Sequence, residues 1–431
     1  MKEKQTPFMI RALFIFLAFS ASAMAGVHLP FTQALKQMLA QDVLIQKQRT
    51  LLAGSKVEKL AAIGRFLPQI QLQASDQASN SAAVVTDTGV QSVASTLQYS
   101  ESATWNIFRG GSDIQGLRAS SRDLAYQRNL LRQATLSEES ACAKALLTLI
   151  ESKKTLMVFQ KAEANEQAYF QIAQKRYRRS LLSKQELDKV VLDLATSKSQ
   201  TADAQTNRDR AQAQVAALLG SAGVDDLWPW NNRFAAPQVT QLLHLRKESS
   251  SLALRPDFRA ARDLVKERRY LADQTELKLL PSIDLTYSLN QQRYSTGGGA
   301  SGWSGMATVT MPLFEGFSSY SNYRLADEAL LRAKFNLEQV QRRVSSNQAF
   351  AQRNFRVALK QFHERSTVLK TAKAIFAVDM ARFKMGRASA DDMKLDLERL
   401  TNSEILDIQG QDRIHLAYIK LLHAFGKRVL K

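Results

Sequence analysis

The chain is written twice. A shift of 206 positions lays Phe108-Arg109-Gly110 on Phe314-Glu315-Gly316, Arg176-Tyr177 on Arg382-Phe383, Ser183 on Ser389 and Gly220 on Gly426, with no gap in the register between them. Upstream the shift is 213, where Leu67-Pro68-Gln69-Ile70-Gln71-Leu72 falls on Leu280-Pro281-Ser282-Ile283-Asp284-Leu285. A unit that recurs in this way is one supersecondary piece used twice, so the fold of the first half constrains that of the second. The seven-residue difference between the shifts falls between the Leu-Pro and Phe-x-Gly landmarks, as expected of hairpin tips, which tolerate insertions.

The landmarks bracket strands. Ile70, Leu72 and Ala74 alternate with Gln69, Gln71, Gln73 and Ser75, and before Phe108 the odd positions Val93, Leu97, Tyr99, Ala103, Trp105 and Ile107 are apolar, interrupted by Ser95 and Glu101. The second half repeats the period of two with Ile283, Leu285, Tyr287 and Leu289, then Trp303, Ala307, Val309 and Met311, around the turn Ser295-Thr296-Gly297-Gly298-Gly299. This predicts one β-hairpin per half, at 68–108 and 281–314. From Gly111 to Arg179, and again from Phe317 to Met385, there is no proline and the composition is that of good helix formers. Each such helix would run about 100 Å at ~1.5 Å per residue, a length that belongs to coiled coils. Returning helices carry a three-four seam: Leu187, Val190, Leu194, Ser197, Thr201, Ala204, Arg208, Ala211, Val215 and Leu218 in one, Met393, Leu397, Leu400, Ile408, His415, Ile419 and Leu422 in the other. The expected division is therefore a first repeat over 26–220, a linker over 221–251 rich in turn formers, and a second repeat over 252–431. Each repeat would hold a helix, a hairpin, a long helix and a returning helix.

The N-terminus reads as an export signal. Lys2, Lys4 and Arg11 precede the apolar run Ala12–Phe19 and the small-residue site Ala23-Met24-Ala25, which assigns 1–25 to a cleavable signal peptide. No later window is long and apolar enough for a membrane-spanning helix, so any insertion must use strands. The formal net charge of +19 suits anionic lipid or anionic cargo, or simply solvated Lys/Arg faces on long helices; an exported chain rarely meets nucleic acid, and none is expected as a partner. The single Cys142 excludes an internal disulfide. Five histidines (His28, His244, His363, His415, His423) show no ligand spacing, and nucleophile-elbow and phosphate-loop motifs are absent. The expectation is a protein without catalytic activity, cofactor or metal.

Four strands cannot close a barrel, and an open edge in lipid leaves backbone groups unpaired at several kcal/mol each. The hairpins must close across copies, two chains giving eight strands and three giving twelve. The predicted fold class is thus mostly α with a small transmembrane β part: a long coiled-coil helical barrel plus a β-barrel to which each chain contributes four strands. A periplasmic or surface coiled-coil protein without a pore is the alternative, and the duplicated strands speak against it.

At this point the sequence resembles the TolC family of outer-membrane efflux and export channels over nearly its whole length. The likeness rests on the paired Leu-Pro-x-Ile-x-Leu starts, the ends Ile107-Phe108-Arg109-Gly110-Gly111 and Pro312-Leu313-Phe314-Glu315-Gly316, the turns from Arg176 to Ser183 and from Arg382 to Ser389, and Leu254-Arg255-Pro256-Asp257. It implies a homotrimer in the outer membrane with its helices in the periplasm, an equatorial belt over 221–251, and a passive exit duct for drugs, metals or a secreted protein. The implied partners are a periplasmic adaptor (membrane fusion) protein, an inner-membrane pump or ABC exporter, and outer-membrane lipid. The adaptor would meet the tip turns at Ser180, Leu181, Leu182, Gly386, Arg387 and Ala388; position 180 is serine where the family often has glycine. Glu186, Asp188, Asp391, Asp392 and Asp396 would be gate candidates, since carboxylates from several copies form rings at a narrow end. Asp392 lies at the family's usual acidic gate position, six residues after the tip glycine, while Leu395 replaces the family's second acid. Such acids also serve helix starts without any pore role.

Overall fold

The structure, a computed structural model, describes residues 30–78, 83–86, 89–92, 95–220, 252, 255–294, 298–385, 387 and 389–430. The expected signal peptide (1–25) and belt segment (221–251) lie outside them. The first half holds α1 (Phe31–Gln41), α2 (Val43–Gly64), β1 (Gln69–Ala78), β2 (Ala83–Thr86), β3 (Gly89–Ser92), β4 (Ser95–Arg109), α3 (Ser112–Arg178) and α4 (Lys184–Leu219). The second holds α5 (Pro256–Leu277), β5 (Ser282–Tyr294), β6 (Gly299–Thr310), α6 (Ser318–Lys384) and α7 (Ala390–Ala424).

Four strands form one antiparallel sheet in the order β1-β4-β5-β6. The β4–β5 pair joins the repeats, with Ala103 opposite Tyr287 and Trp105 opposite Leu285. β2 and β3 form a separate ladder, Val85 opposite Val90. Sequence alternation predicts only a hairpin tip in this stretch, because two four-residue strands are too short for a period to stand out. Helices follow the strand order. At the sheet end the row runs α2, α3, α5, α6, and at the far end it runs α4, α3, α7, α6.

Apolar clusters hold the row, among them Ala261 of α5 with Val340 and Val344 of α6. Near α1, Leu35 and Met38 pack with Cys142, Leu146 and Leu149 of α3, Val215 of α4 and Ile419 of α7. Cys142 is buried there, and burial pushes its thiol up to about 11. Beside this cluster, Phe355 and Ala358 of α6 meet Ile414, Leu421 and Ala424 of α7. Toward the tips, Tyr169 and Ala173 of α3, Val190 of α4, Phe383 of α6 and Met393 of α7 form a further cluster. The seam of α4 is buried at Val190, Leu194, Ser197, Ala204, Ala211 and Val215, but its last member is Leu219, with Leu218 only half-buried. In α7 the expected stripe is half-buried at Ile408 and His415, and Ile414, Ala417, Leu421 and Ala424 add a second buried face. This helix lies between α3 and α6, so one stripe could not serve both neighbours. The Leu254-Arg255-Pro256-Asp257 motif joins two elements. Its buried Arg255 guanidinium donates to the carbonyls of His423 and Ala424 at 2.7 and 2.8 Å and pairs with Asp257 at 2.6 Å. It thereby ties the C-terminal carbonyls of α7 to the start of α5.

Both ends of the row are open. Among the described residues β1 and β6 each have a neighbour on one side only, and α2 and α6 expose Val57, Leu60, Leu325 and Phe335. Gly110 and its repeat equivalent Gly316 share a left-handed backbone, φ 61° and 58°. A Cβ at Gly110 would collide with the Leu277 carbonyl and Leu280, whereas one at Gly316 would meet nothing. The same turn is packed inside the chain at one place and bare at the other.

Candidate functional site

The tips are built from the chain's own turn chemistry. After α3, Ser180 takes a left-handed conformation (φ 59°) and the Leu181 N–H donates to the Arg176 carbonyl at 2.9 Å, closing a Schellman-type end with serine where glycine is usual. At the second tip the Arg387 N–H donates to the Arg382 carbonyl at 2.9 Å, the same closure. Gly386 and Ala388 lie outside the described residues. Ser183 and Ser389 are N-caps of reciprocal capping boxes, accepting from the N–H groups of Glu186 and Asp392 at 3.2 and 3.1 Å. Behind the turns Tyr169 packs on Phe383 with centroids 5.0 Å apart, and Arg176 lies over the same ring at 5.2 Å. Leu182 packs partly against this cluster while Leu181 points outward. Ser180, Leu181 and Arg387 are exposed.

The five acids are not gathered in one place within the chain. Glu186 and Asp392 return to their own helix starts, and the hydrogen bonds from Ser183 hold the Glu186 carboxyl below its ordinary range. Asp391 meets Lys189 across the two repeats at 3.3 Å. Asp396 is buried against Arg399 at 3.2 Å, its pKa raised by burial and by Asp379. Asp188 is exposed on α4.

Above the tips lies a polar groove that the repeat pattern and the motifs do not announce. α3, α4 and α7 enclose about 330 Å³ lined by Glu166, Asp193, Lys394 and Glu398. Lys394 and Asp193 pair at 2.6 Å. Glu166 is 7% exposed and its Oε2 has no hydrogen-bond partner. Burial, then the negative charges of Asp193 and Glu398, push its pKa up to about 7 against the opposing pull of Lys394. Higher on the same α3–α7 seam Asp412 repeats the pattern, buried, with Oδ2 unpartnered and pushed up to about 7 by burial. The available signal was the spacing Ala162, Glu166, Tyr169, Ala173, which places an acid in the seam of α3. One repeat on, a groove of about 480 Å³ between α6 and α7 is lined by Val368, Ala372, Ile375 and Arg399. Among the described residues no group of side chains is arranged to hold a metal ion, and no helix is long and apolar enough to cross a membrane.

Two helix-hairpin-helix units set side by side, with a four-stranded sheet open at both edges and long helices running to a pair of tips, make a channel-tunnel fold. Residues 249–427 match the family described as outer membrane efflux protein. The fold is also that of the Campylobacter jejuni CmeC outer membrane channel, at TM-score 0.78 and 16% identity over 92% of this chain and 85% of that one. VceC, an outer membrane protein of Vibrio cholerae, gives 0.78 and 15% over 93% and 97%. The open-state MtrE outer membrane channel of Neisseria gonorrhoeae gives 0.76 and 17% over 96% and 94%. No curated protein matches the sequence closely enough to count as a relative. The resemblance to the TolC-like channels therefore holds, and the matched family is one of transport channels rather than enzymes.

Proposed function

We propose that the protein is the subunit of a homotrimeric outer-membrane channel-tunnel, the exit duct of a tripartite efflux or type I secretion system. Gly316 is the observation that carries this reading: it is the bare copy of a turn that, at Gly110, is packed against the neighbouring repeat. Carried one step on, α2 and β1 of a second copy would cover α6 and β6, and three copies would close a twelve-stranded barrel with no unpaired edge in the lipid. In this reading residues 1–25 direct export and are removed. Repeats 26–220 and 252–431 alternate around the tube, 221–251 forms the belt, and the helices stand in the periplasm.

The duct is passive. Its tips, at Ser180, Leu181, Leu182, Gly386, Arg387 and Ala388, meet a periplasmic adaptor that links it to an inner-membrane pump or ABC exporter. Of the gate candidates, Asp391, Asp392 and Glu186 from each copy converge at the narrow end, where poor screening makes the ring sensitive to multivalent cations, whereas Asp396, buried against Arg399, and Asp188 are left to the contacts between copies. Purified in mild detergent, the protein should scatter light as a trimer and conduct ions in planar bilayers. A stable monomer, soluble without detergent and non-conducting, would instead support a structural coiled coil.

A further inference from the structure

The two repeats share one helix register, and that register carries the geometry of the α3–α7 contact onto the open edge. In the closed groove α7 lies across the α3–α4 pair and buries Leu397 (6% exposed), with Lys394 paired to Asp193 at 2.6 Å. Moving each residue one repeat gives the open counterpart: the α6–α7 groove takes the place of the α3–α4 groove, and α4 takes the place of α7. Leu397 becomes Val191, which is 46% exposed, and Glu398 becomes Leu192, 65% exposed. Ala162 and Glu166 become Val368 and Ala372, and Tyr169 becomes Ile375. The ion pair maps with its charges exchanged, since Lys394 becomes Asp188 and Asp193 becomes Arg399. A pair whose signs both reverse between repeats still attracts, and chance placement would as readily give two like charges.

We infer that the α6–α7 groove is the seat of α4 from an adjacent copy, with Val191 and Leu192 of that copy set against Val368, Ala372 and Ile375, and its Asp188 paired with Arg399. This rests on the trimeric reading above and adds the contact that fixes the tip ends of neighbouring copies. The occupant is a second copy because the groove's apolar wall of Val368, Ala372 and Ile375, with Arg399 beside Asp396, matches the apolar pair and the acid that the chain itself exposes one repeat away. Arg399 already sits at 3.2 Å from Asp396 with its side chain 59% exposed, so the guanidinium keeps donors for a second carboxylate. With Ala372 standing where Glu166 is buried, this joint is drier than the one inside the chain.

Cysteine pairs test it in the full-length protein in outer membranes. Val191→Cys combined with Ala372→Cys should give a disulfide-linked ladder up to three copies under mild oxidation. Val309→Cys with Ala74→Cys serves as the reference for barrel closure, because the Ala103–Tyr287 pairing of β4 and β5 carried one repeat on sets those residues opposite each other. Ladders from both pairs support the inference. A ladder from the barrel pair alone overturns it and leaves the trimer standing, and a ladder from neither overturns both. Asp188→Arg should reduce the Val191–Ala372 ladder about fivefold, the effect of one modest ion pair turned repulsive, and Asp188→Arg with Arg399→Glu should restore it. Equal ladders in all backgrounds would show that the pair does not form.

Discussion

Glu166 and Ala372 hold the same place in the two repeats, as do Asp193 and Arg399, and Asp412 and Thr206. In the first repeat the groove is closed by the chain's own α7 and contains the buried Glu166 with an unpartnered oxygen, and Asp412 higher on the same seam has another. In the second it is open, lined by Val368, Ala372 and Ile375, and its buried acid, Asp396, is paired with Arg399. A contact made within one chain is formed at very high effective concentration and can carry unpaired polar groups. One made between chains has to be favourable enough to overcome the loss of translational freedom. The chemistry of the two grooves follows that difference: the unpartnered acid Glu166 lies inside the chain, whereas the acid of the open groove, Asp396, has its cation in place.

The largest effect expected comes from the cores above the grooves. Leu149 and Phe355 are repeat equivalents, both fully buried, but Leu149 lies where α1, α3, α4 and α7 meet whereas Phe355 lies between α6 and α7 alone. Phe355→Ala should cost about 3–5 kcal/mol and Leu149→Ala about 2–5. Limited proteolysis should show the difference in reach, with new cuts near α1 and α4 in Leu149→Ala and only in α6 and α7 in Phe355→Ala. Identical cleavage patterns would mean the two cores unfold as one and the repeats are not separable units.

Next in size is a transplant between grooves. Ala372→Glu gives the open groove the carboxylate that the closed one carries. A single chain should be indifferent, since position 372 is only half-buried there, so helix content should not change. If an adjacent copy covers the groove, a carboxylate is buried among apolar groups at a cost of ~2–3 kcal/mol, and trimer yield should fall more than tenfold at pH 8. That cost disappears when the group protonates, so yield should recover toward pH 5. A pH-independent trimer in Ala372→Glu would place position 372 in solvent.

The same residues show what a sequence can and cannot reveal of this fold. The repeat register set the long helices, because Ser112–Arg178 and Ser318–Lys384 begin after matching glycine turns and end at matching tips. The tip serines were readable as caps because a capping box is a local pattern. The grooves were not readable. Periodicity on one helix reports which face is apolar, but says nothing of which helix covers it, and α7 buries two faces where its sequence showed one stripe. Glu166 at a seam position looks like any solvated acid until the helix across it is known. β2 and β3 escaped for the opposite reason, being too short to show a period at all.

An effect of similar size, read on the stability of the single chain, concerns Glu166 itself. Its pKa is raised from 4.5 to about 7, so the folded state binds more protons than the unfolded one between those values. Stability should therefore fall as pH rises from about 4.5 to about 7 and level off above, by up to about 3 kcal/mol. Glu166→Gln carries no charge and should remove that fall, raising the thermal midpoint at pH 8 and leaving it unchanged at pH 4. Asp412→Asn should act in the same sense. Parallel pH profiles for wild type and Glu166→Gln would show that the oxygen finds solvent.

The smallest effect separates the two tips. Both carry a serine cap, but the first box is completed by a glutamate whose Oε2 accepts from the Ser183 N–H at 2.9 Å, the second by the shorter Asp392, whose Oδ2 reaches the Ser389 N–H at 3.4 Å. A glutamate spans the box with less tilt, so the first cap should be the stronger. Ser183→Ala and Ser389→Ala should each cost about 1 kcal/mol, the former a few tenths more. Amide exchange in the first turn of α4 and α7 reads this locally, where a global melting curve on so long a helix would not. The Glu186 pKa is lowered by its bonds to Ser183, so that cap's carboxylate contribution is present above the ordinary value of 4.5 and is lost as pH falls through the lowered one. Exchange at the start of α4 should accelerate over that acidic window in wild type and not in Ser183→Ala. Adaptor cross-linking through the exposed Leu181 gives the second readout. If Ser183→Ala loosens the turn and reduces cross-linking while Ser389→Ala does neither, the first tip's geometry is what the partner reads; if docking is indifferent to both caps, the turns are helix connections and the contact lies elsewhere on the tips.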